Sequence, residues 1–272
     1  MMLVSACSMA PATPLTCAST GKQNPNHSFG FCGRSSARAV QARAQVDSDA
    51  TADPLRAAVL EAYAAEASSY DSRWPTYTQE TLDFTLAALP QLPTGAVVLD
   101  VGCGTGAALA ALLARPEVRL GQYTGLDPSE AMLSVAQRRQ FAGSVPDLRW
   151  LCVPGDSAPL PLDDSSVDLV LCLSCLHFMS APDVCMAEMQ RVLRPGGTLL
   201  LGDWCADYLT VRLIELGMRL FRTPTNDVLT ASQLRHLAAT AAPAMRVETL
   251  RTARLDTVWG FMALQATKDH RT

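Results

Sequence analysis

An α/β fold built on a mostly parallel sheet is what this 272-residue sequence predicts. Apolar runs of strand length alternate with helix-forming stretches through the middle of the chain. One such run, VVLDV at 97–101, breaks at Gly102, Gly104 and Gly106 and resumes as AALAALL, which reads as strand, glycine turn and helix. Another, VDLVLCLS at 167–174, is apolar almost throughout instead of alternating, as in a strand covered by helices on both faces.

The elements follow in order. Residues 1–46 are rich in Ser, Ala, Thr, Pro and Asn, and their only charges are Lys22, Arg34, Arg38 and Arg43. An acid-poor leader of that kind, without a long apolar centre, predicts an organelle transit peptide and not a secretory signal. Val40-Gln41-Ala42 resembles a plastid processing pattern, which places the plastid first and the mitochondrion second; an ordinary disordered terminus is the alternative. After a polar linker at 47–53, Asp53-Pro54 supplies an acceptor and then a proline, which suits a helix start. Helices are expected over 55–70 and 77–89, the second stopped by Pro90.

Strand 96–101, helix 105–114, strand 122–126, helix 129–141 capped by Ser129, and strands 148–153 and 167–174 come next. A helix over 182–193 is expected to stop at Pro195-Gly196-Gly197, with a strand starting at Thr198. Helices at 207–221 and 232–242 precede two strands, 244–250 and 258–266, close enough to form an antiparallel hairpin at the sheet edge. The expected organisation is a leader, then one domain over 47–272. Within it lie N-terminal helices at 47–94, a ligand-binding core at 95–204, and helices with an edge hairpin at 205–272.

Composition narrows the function. All 26 acidic residues fall after the leader, and no basic stripe is present, so nucleic acid is not the expected partner. No stretch of 18 apolar residues exists, so no transmembrane helix is expected. Of nine Cys, three lie in the leader; Cys172 and Cys175 form a lone C-x-x-C without the second ligand pair of a zinc site or the context of a redox helix. They read as reduced structural residues, and no metal site is expected.

Two carboxylates carry the chemistry. Asp100 precedes the glycines, and Asp127 ends the second strand about 20 residues beyond them, where a carboxylate accepts both hydroxyls of a ribose. It would repel a 2′-phosphate, which disfavours NADP. The spacing Gly102-x-Gly104-x-x-Ala107 also satisfies the dinucleotide fingerprint, so an NAD-dependent oxidoreductase stays open on these residues.

Four stretches in order, VLDVGCGTG, GLDPSEAMLSVA, GDSAPLPLDDSSVDLVLCLSCLHFM and RVLRPGGTLLLGDW, resemble the class I S-adenosylmethionine-dependent methyltransferases, in particular the type-11 group, over about residues 95–204. The resemblance implies a Rossmann-like, seven-stranded sheet with one antiparallel strand near its edge, and S-adenosylmethionine as cofactor. It places Asp100, Gly102, Cys103, Gly104 and Gly106 at the methionine moiety. Asp127 and Pro128 fall at the ribose, Met132 at the adenine, Asp156 and Ser157 at the adenine amino group, and Leu173 and Ser174 near the sulfonium. In related enzymes a segment like YDSRWPTY, 70–77, covers the cofactor, so Tyr70 and Trp74 are candidates for contact and Arg73 for pairing with the cofactor carboxylate.

Methyl transfer from a sulfonium is an in-line displacement, for which positioning supplies much of the catalysis. His177 is the candidate general base; Asp203, Trp204 and Tyr208 are candidates, with His177, for the acceptor pocket. The expected acceptor is a small molecule. The competing readings are an NAD-dependent oxidoreductase and a cofactor-binding protein without turnover.

Overall fold

The computed structural model describes residues 54–154, 156, 159–220 and 227–270. The leader, the linker with Asp53, and Ser157 lie outside the described residues. Helices α1 (Pro54–Glu66), α2 (Tyr70–Arg73) and α3 (Pro75–Leu86) precede β1 (Ala96–Val101), α4 (Ala107–Leu113), β2 (Leu120–Asp127), α5 (Glu130–Arg138), β3 (Asp147–Cys152) and β4 (Val167–Leu173). A 3-10 turn (Leu176–Phe178) leads to α6 (Pro182–Val192), β5 (Leu193–Trp204), α7 (Leu209–Leu220), α8 (Ala231–Ala241), β6 (Met245–Leu255) and β7 (Trp259–Lys268).

The seven strands form one sheet in the order β3-β2-β1-β4-β5-β7-β6. β1 to β5 pair in parallel, whereas β7 is antiparallel to both β5 and β6. The expected antiparallel strand is therefore β7, one place in from the edge. Chain order reverses between β1 and β4, and a ligand crevice opens beyond the carboxyl ends of the strands at such a switch point.

The continuous apolar runs serve two cores. Leu99, Val170, Cys172, Leu199 and Leu201 face one side, among α6 and α8 residues such as Met186, Met189 and Leu234. Val98, Leu169, Leu171 and Leu200 face the other, among Leu86 of α3 and Leu109 and Leu112 of α4. Successive strand residues point to opposite faces, so a run buried on both faces must be apolar throughout.

Some boundaries differ from expectation. The expected 55–70 helix divides at residues 67–69 and restarts as α2. Helix α4 begins at Ala107 because Gly106 stands just outside it with a left-handed φ of 78°. The Pro-Gly-Gly stretch does not separate helix from strand: β5 starts at Leu193 and carries it, with an irregular register against β4. Ser129 caps α5 as expected, its hydroxyl accepting the Met132 N–H at 3.3 Å. The β6–β7 hairpin turns on Asp256 and Thr257, at φ 43° and 55°, a conformation that usually calls for glycine or asparagine.

Candidate active site

At the switch point the chain leaves β1 through the glycine loop and β4 through Leu173 and Ser174, and these two exits form the floor of a cleft. Gly102 has φ +73° and touches the next exit closely: a β-carbon there would stand 2.6 Å from the Cβ and Sγ of Cys175. Gly104, at φ +53°, has nothing within 4 Å of where a β-carbon would be, so the loop leaves open space above its main chain. The loop is held from below. The N–H groups of Gly102 and Cys103 donate to the Leu126 carbonyl at 2.8 and 2.9 Å, Gly106 N–H donates to Cys103 O, and Gly104 N–H donates to Asp127 Oδ2 at 2.9 Å.

Asp127 thereby connects two elements. Its other oxygen accepts the Ser129 N–H at 2.8 Å, at the entry to α5. Burial raises its affinity for a proton, and the two amide hydrogen bonds oppose that shift. Asp100 is more deeply placed, at 1% exposure. Its carboxyl is pushed up to about 7 by burial, against the hydrogen bond from the Tyr123 hydroxyl. Asp156, after β3, accepts the Ser180 and Ala181 N–H groups at 2.9 and 3.2 Å and so joins its loop to the start of α6.

Asp100, Gly102, Cys103, Gly104, Asp127, Pro128, Met132, Asp156, Leu173, Ser174 and Tyr70 all line this one cleft. Among the described residues no Lys, Arg or His lines it. Gly106 lies behind the loop, where an added β-carbon would meet Trp150 and Ala136. The expected roles of Arg73 and Trp74 need correction. Arg73 is turned outward and pairs with Glu66 at 2.6 Å, and neither residue lines the cleft. From the same short helix Asp71, which does not line the cleft either, holds Thr105 of the cleft wall from outside. It accepts the Thr105 hydroxyl at 2.7 Å and pairs with Arg139, whose Nε donates to the Thr105 carbonyl at 2.8 Å.

The opposite wall comes from the N-terminal helices. Tyr63 of α1, Tyr70 of α2 and Tyr77 of α3 line the cleft together, one from each helix. Tyr63 packs edge-on against Phe178 at 5.5 Å between ring centroids. The Tyr77 hydroxyl donates to Ser174 Oγ at 3.0 Å and accepts Trp204 Nε1–H at 2.8 Å. Ser174 itself takes a left-handed φ of 53°, while its N–H donates to Gly202 O at 2.7 Å.

Beside this wall lies a second, more buried cluster. His177 Nδ1 and Asp203 Oδ1 are 2.5 Å apart, with each side chain 3% exposed. The Asp203 carboxylate also accepts the backbone N–H groups of His177 and Trp204. The His177 ring stacks on Trp204 at 4.4 Å, and its Nε2 has no hydrogen-bond partner among the described residues. His177, Asp203 and Trp204 are thus brought together next to the cleft but do not line it. Tyr208 is a packing residue: its ring lies where a β-carbon on Gly260 would go, with the Arg254 guanidinium 5.9 Å from its centroid.

No group of His, Cys, Asp and Glu among the described residues is arranged to hold a metal ion, and no helix among them is long and apolar enough to cross a membrane.

Known proteins match this architecture. Residues 99–201 match the family model described as a methyltransferase domain. The chain is 34% identical over 137 residues to 27-O-demethylrifamycin SV methyltransferase of Amycolatopsis mediterranei, covering 50% of this chain and 49% of that protein. It spans about half the length, or less, of the first curated relatives it matches. Among solved structures, the Haloferax volcanii complex of the Trm112 methyltransferase activator with a methyltransferase contains a chain that superposes with TM-score 0.63 at 22% identity, over 76% of this chain and 98% of that one. Burkholderia thailandensis 1,6-didemethyltoxoflavin-N1-methyltransferase, solved with its namesake compound and S-adenosylhomocysteine, gives TM-score 0.57 at 17% identity over 78% and 88%. Residues 99–201 of this chain are thus similar to the type-11 methyltransferase domain, and the fold is the one these methyltransferases share.

Proposed function

We propose that this protein transfers the methyl group of S-adenosylmethionine to a small-molecule acceptor held beside it in the cleft. The observation that carries the reading is the electrostatics of the glycine loop. A dinucleotide needs backbone N–H groups aimed at its pyrophosphate, and here those of Gly102, Cys103, Gly104 and Gly106 already have acceptors within the protein. The cleft instead presents the carboxyl groups of Asp100 and Asp127, and none of its described lining residues is Lys, Arg or His. That field attracts a cofactor carrying a sulfonium and an ammonium group and repels one carrying a diphosphate.

Asp127, fixed by two amides, has acceptor capacity left for the ribose hydroxyls. The bare main chain at Gly104 leaves room for the methionine end, with Asp100 beneath it, and Met132 and Asp156 stand at the adenine end. The bound cofactor supplies an activated methyl group on a positively charged sulfur. The protein supplies orientation, exclusion of water by the tyrosine-lined wall, and a route for the acceptor's proton. His177 stands behind that wall, with Nδ1 held by Asp203 and Nε2 buried and unpartnered, so it takes that proton only if the wall parts to uncover Nε2. The small-molecule acceptors in the names of the rifamycin and toxoflavin enzymes support the same substrate class.

Calorimetric titration tests the cofactor reading. S-adenosylhomocysteine should bind and NAD should not; the reverse result overturns it. Transfer of a radiolabelled methyl group into an organelle extract separates an enzyme from a non-catalytic binder. If His177 is the base, His177→Gln should lower kcat and flatten its pH profile, with S-adenosylhomocysteine affinity unchanged. We further propose that residues 1–46 direct the protein to the plastid, a reading supported by their composition. Mass spectrometry of the mature N-terminus decides it, and an intact Met1 rejects it.

A further inference from the structure

Sequence alone presents Cys172 and Cys175 as inert thiols, but the fold places them in contact at the cofactor cleft. Their sulfurs are 3.4 Å apart. Cys172 is fully buried at the end of β4. Cys175 is half-buried and lines the cleft, and its thiol donates to the Val101 carbonyl at 3.1 Å. It also leans on the glycine loop, closely enough that Gly102 has no room for a β-carbon. Between the two cysteines lies Ser174, at φ 53° and hydrogen-bonded by Tyr77. The short C-x-x-C segment therefore touches both the loop and the tyrosine wall.

We propose that Cys175 is a site of reversible oxidation reached through the empty part of the cleft, that Cys172 is its resolving thiol, and that the resulting disulfide weakens cofactor binding. The oxidant is a hydroperoxide. In the first step the Cys175 sulfur attacks a peroxide oxygen: an S–O bond forms, the O–O bond breaks, and with hydrogen peroxide the leaving oxygen departs as water with the thiol proton. Cys175 is then a sulfenic acid. In the second step the Cys172 sulfur attacks the Cys175 sulfur: the S–S bond forms, the S–O bond breaks, and a second water leaves with the Cys172 proton. The two thiols lose two electrons, and the peroxide gains them.

At rest the pair is a dithiol. Contact with Cys172 and burial hold the Cys175 thiol well above the ordinary range, so its oxidation is slow beside that of a low-pKa redox cysteine. The geometry supplies the consequence. A disulfide brings its sulfurs to roughly 2.0 Å. Closing the gap draws Cys175 away from Val101 O and Gly102 and displaces Ser174, and all of these lie at the cofactor floor. By linkage, a ligand that binds the reduced cleft opposes the oxidation, and it also covers Cys175 directly.

The full-length protein, with and without saturating S-adenosylhomocysteine, is treated with hydrogen peroxide, and its cysteines are mapped by alkylation and peptide mass. The Cys172–Cys175 disulfide should form in the ligand-free sample and be suppressed in the saturated one. The oxidised protein should bind S-adenosylhomocysteine at least tenfold more weakly, with dithiothreitol restoring the original Kd. In Cys172→Ala, dimedone should trap the sulfenic acid on Cys175, and no disulfide should form. The proposal is overturned if both thiols survive a peroxide dose that modifies the exposed Cys152, if the ligand gives no protection, or if the disulfide forms and leaves Kd unchanged. The affinity measurement rests on the proposed cofactor. If the reduced protein binds no S-adenosylhomocysteine, it is the cofactor reading that fails, and the peptide map still decides whether the cysteines pair.

Discussion

The two walls of the cleft are built by different means. On the sheet side most functional groups are tied to the main chain: Asp127 by Gly104 and Ser129, Asp156 by Ser180 and Ala181, and the glycine loop by Leu126; Asp100, held by the Tyr123 hydroxyl, is the exception. On the helical side the attachments that face the cleft wall run side chain to side chain: Tyr77 to Ser174 and Trp204, and Asp71 to Thr105 and Arg139. A wall anchored through strand ends is set by the same hydrogen bonds that make the sheet. A wall anchored through a few side chains can be loosened without unfolding the sheet, which suits a surface that must part to admit and release ligands.

Asp127→Ala should break the rigid wall most severely. It removes the proposed ribose acceptor and frees two backbone N–H groups, so S-adenosylhomocysteine affinity should fall by roughly 2–4 kcal/mol, or about 30- to 1000-fold, by calorimetry. Asp100 sharpens the comparison through pH. Its carboxyl titrates near 7 in the folded protein, against an ordinary value of 3.8. Between those values the folded state holds the extra proton, so stability declines as pH rises from about 4 to 7, by an amount on the order of 2–4 kcal/mol. Asp100→Asn keeps an acceptor for Tyr123 and removes the charge. Urea unfolding should find the variant more stable than the parent at pH 8 and nearly equal to it at pH 4, even though cofactor binding is weakened.

The helical wall should respond more mildly. Asp71→Asn removes the ion pair with Arg139, which is partly exposed on both sides. Stability should change by no more than about 1 kcal/mol, with a faster off-rate for S-adenosylhomocysteine in stopped-flow measurements and the sheet core unaffected. The smallest effect should come from far outside the cleft. Thr257→Gly relieves a β-branched residue at φ 55° in the β6–β7 turn and should raise stability by about 0.5–1 kcal/mol in thermal unfolding.

Most of the rigid wall was legible in the sequence because its signals are local. A strand ending in Asp100, three glycines, and Asp127 followed by the Ser129 cap are short-range patterns, each with a physical reason visible in the residues themselves. The helical wall was only partly legible. Tyr70 was found, but Tyr63 and Tyr77, on separate helices, were not. Arg73 had the right charge for a carboxylate partner, yet Glu66, on the preceding helix, takes it. Asp71 had no local signal at all, since its partners Thr105 and Arg139 lie far along the chain.

By itself the sequence determined the alternation of strands and helices, the sharp turn at the glycines, and the carboxylate at the end of the second strand. These follow from backbone sterics and from the need of a doubly covered sheet for continuous apolar strands. Only the tertiary structure decided which chemically able side chains share a space. It paired His177 with Asp203, brought Cys172 against Cys175 at the cleft floor, and paired Asp71 with Thr105 and Arg139 but Arg73 with Glu66. Side-chain chemistry states what a residue can do. The strand order and the angle at which each helix meets the sheet decide what it meets.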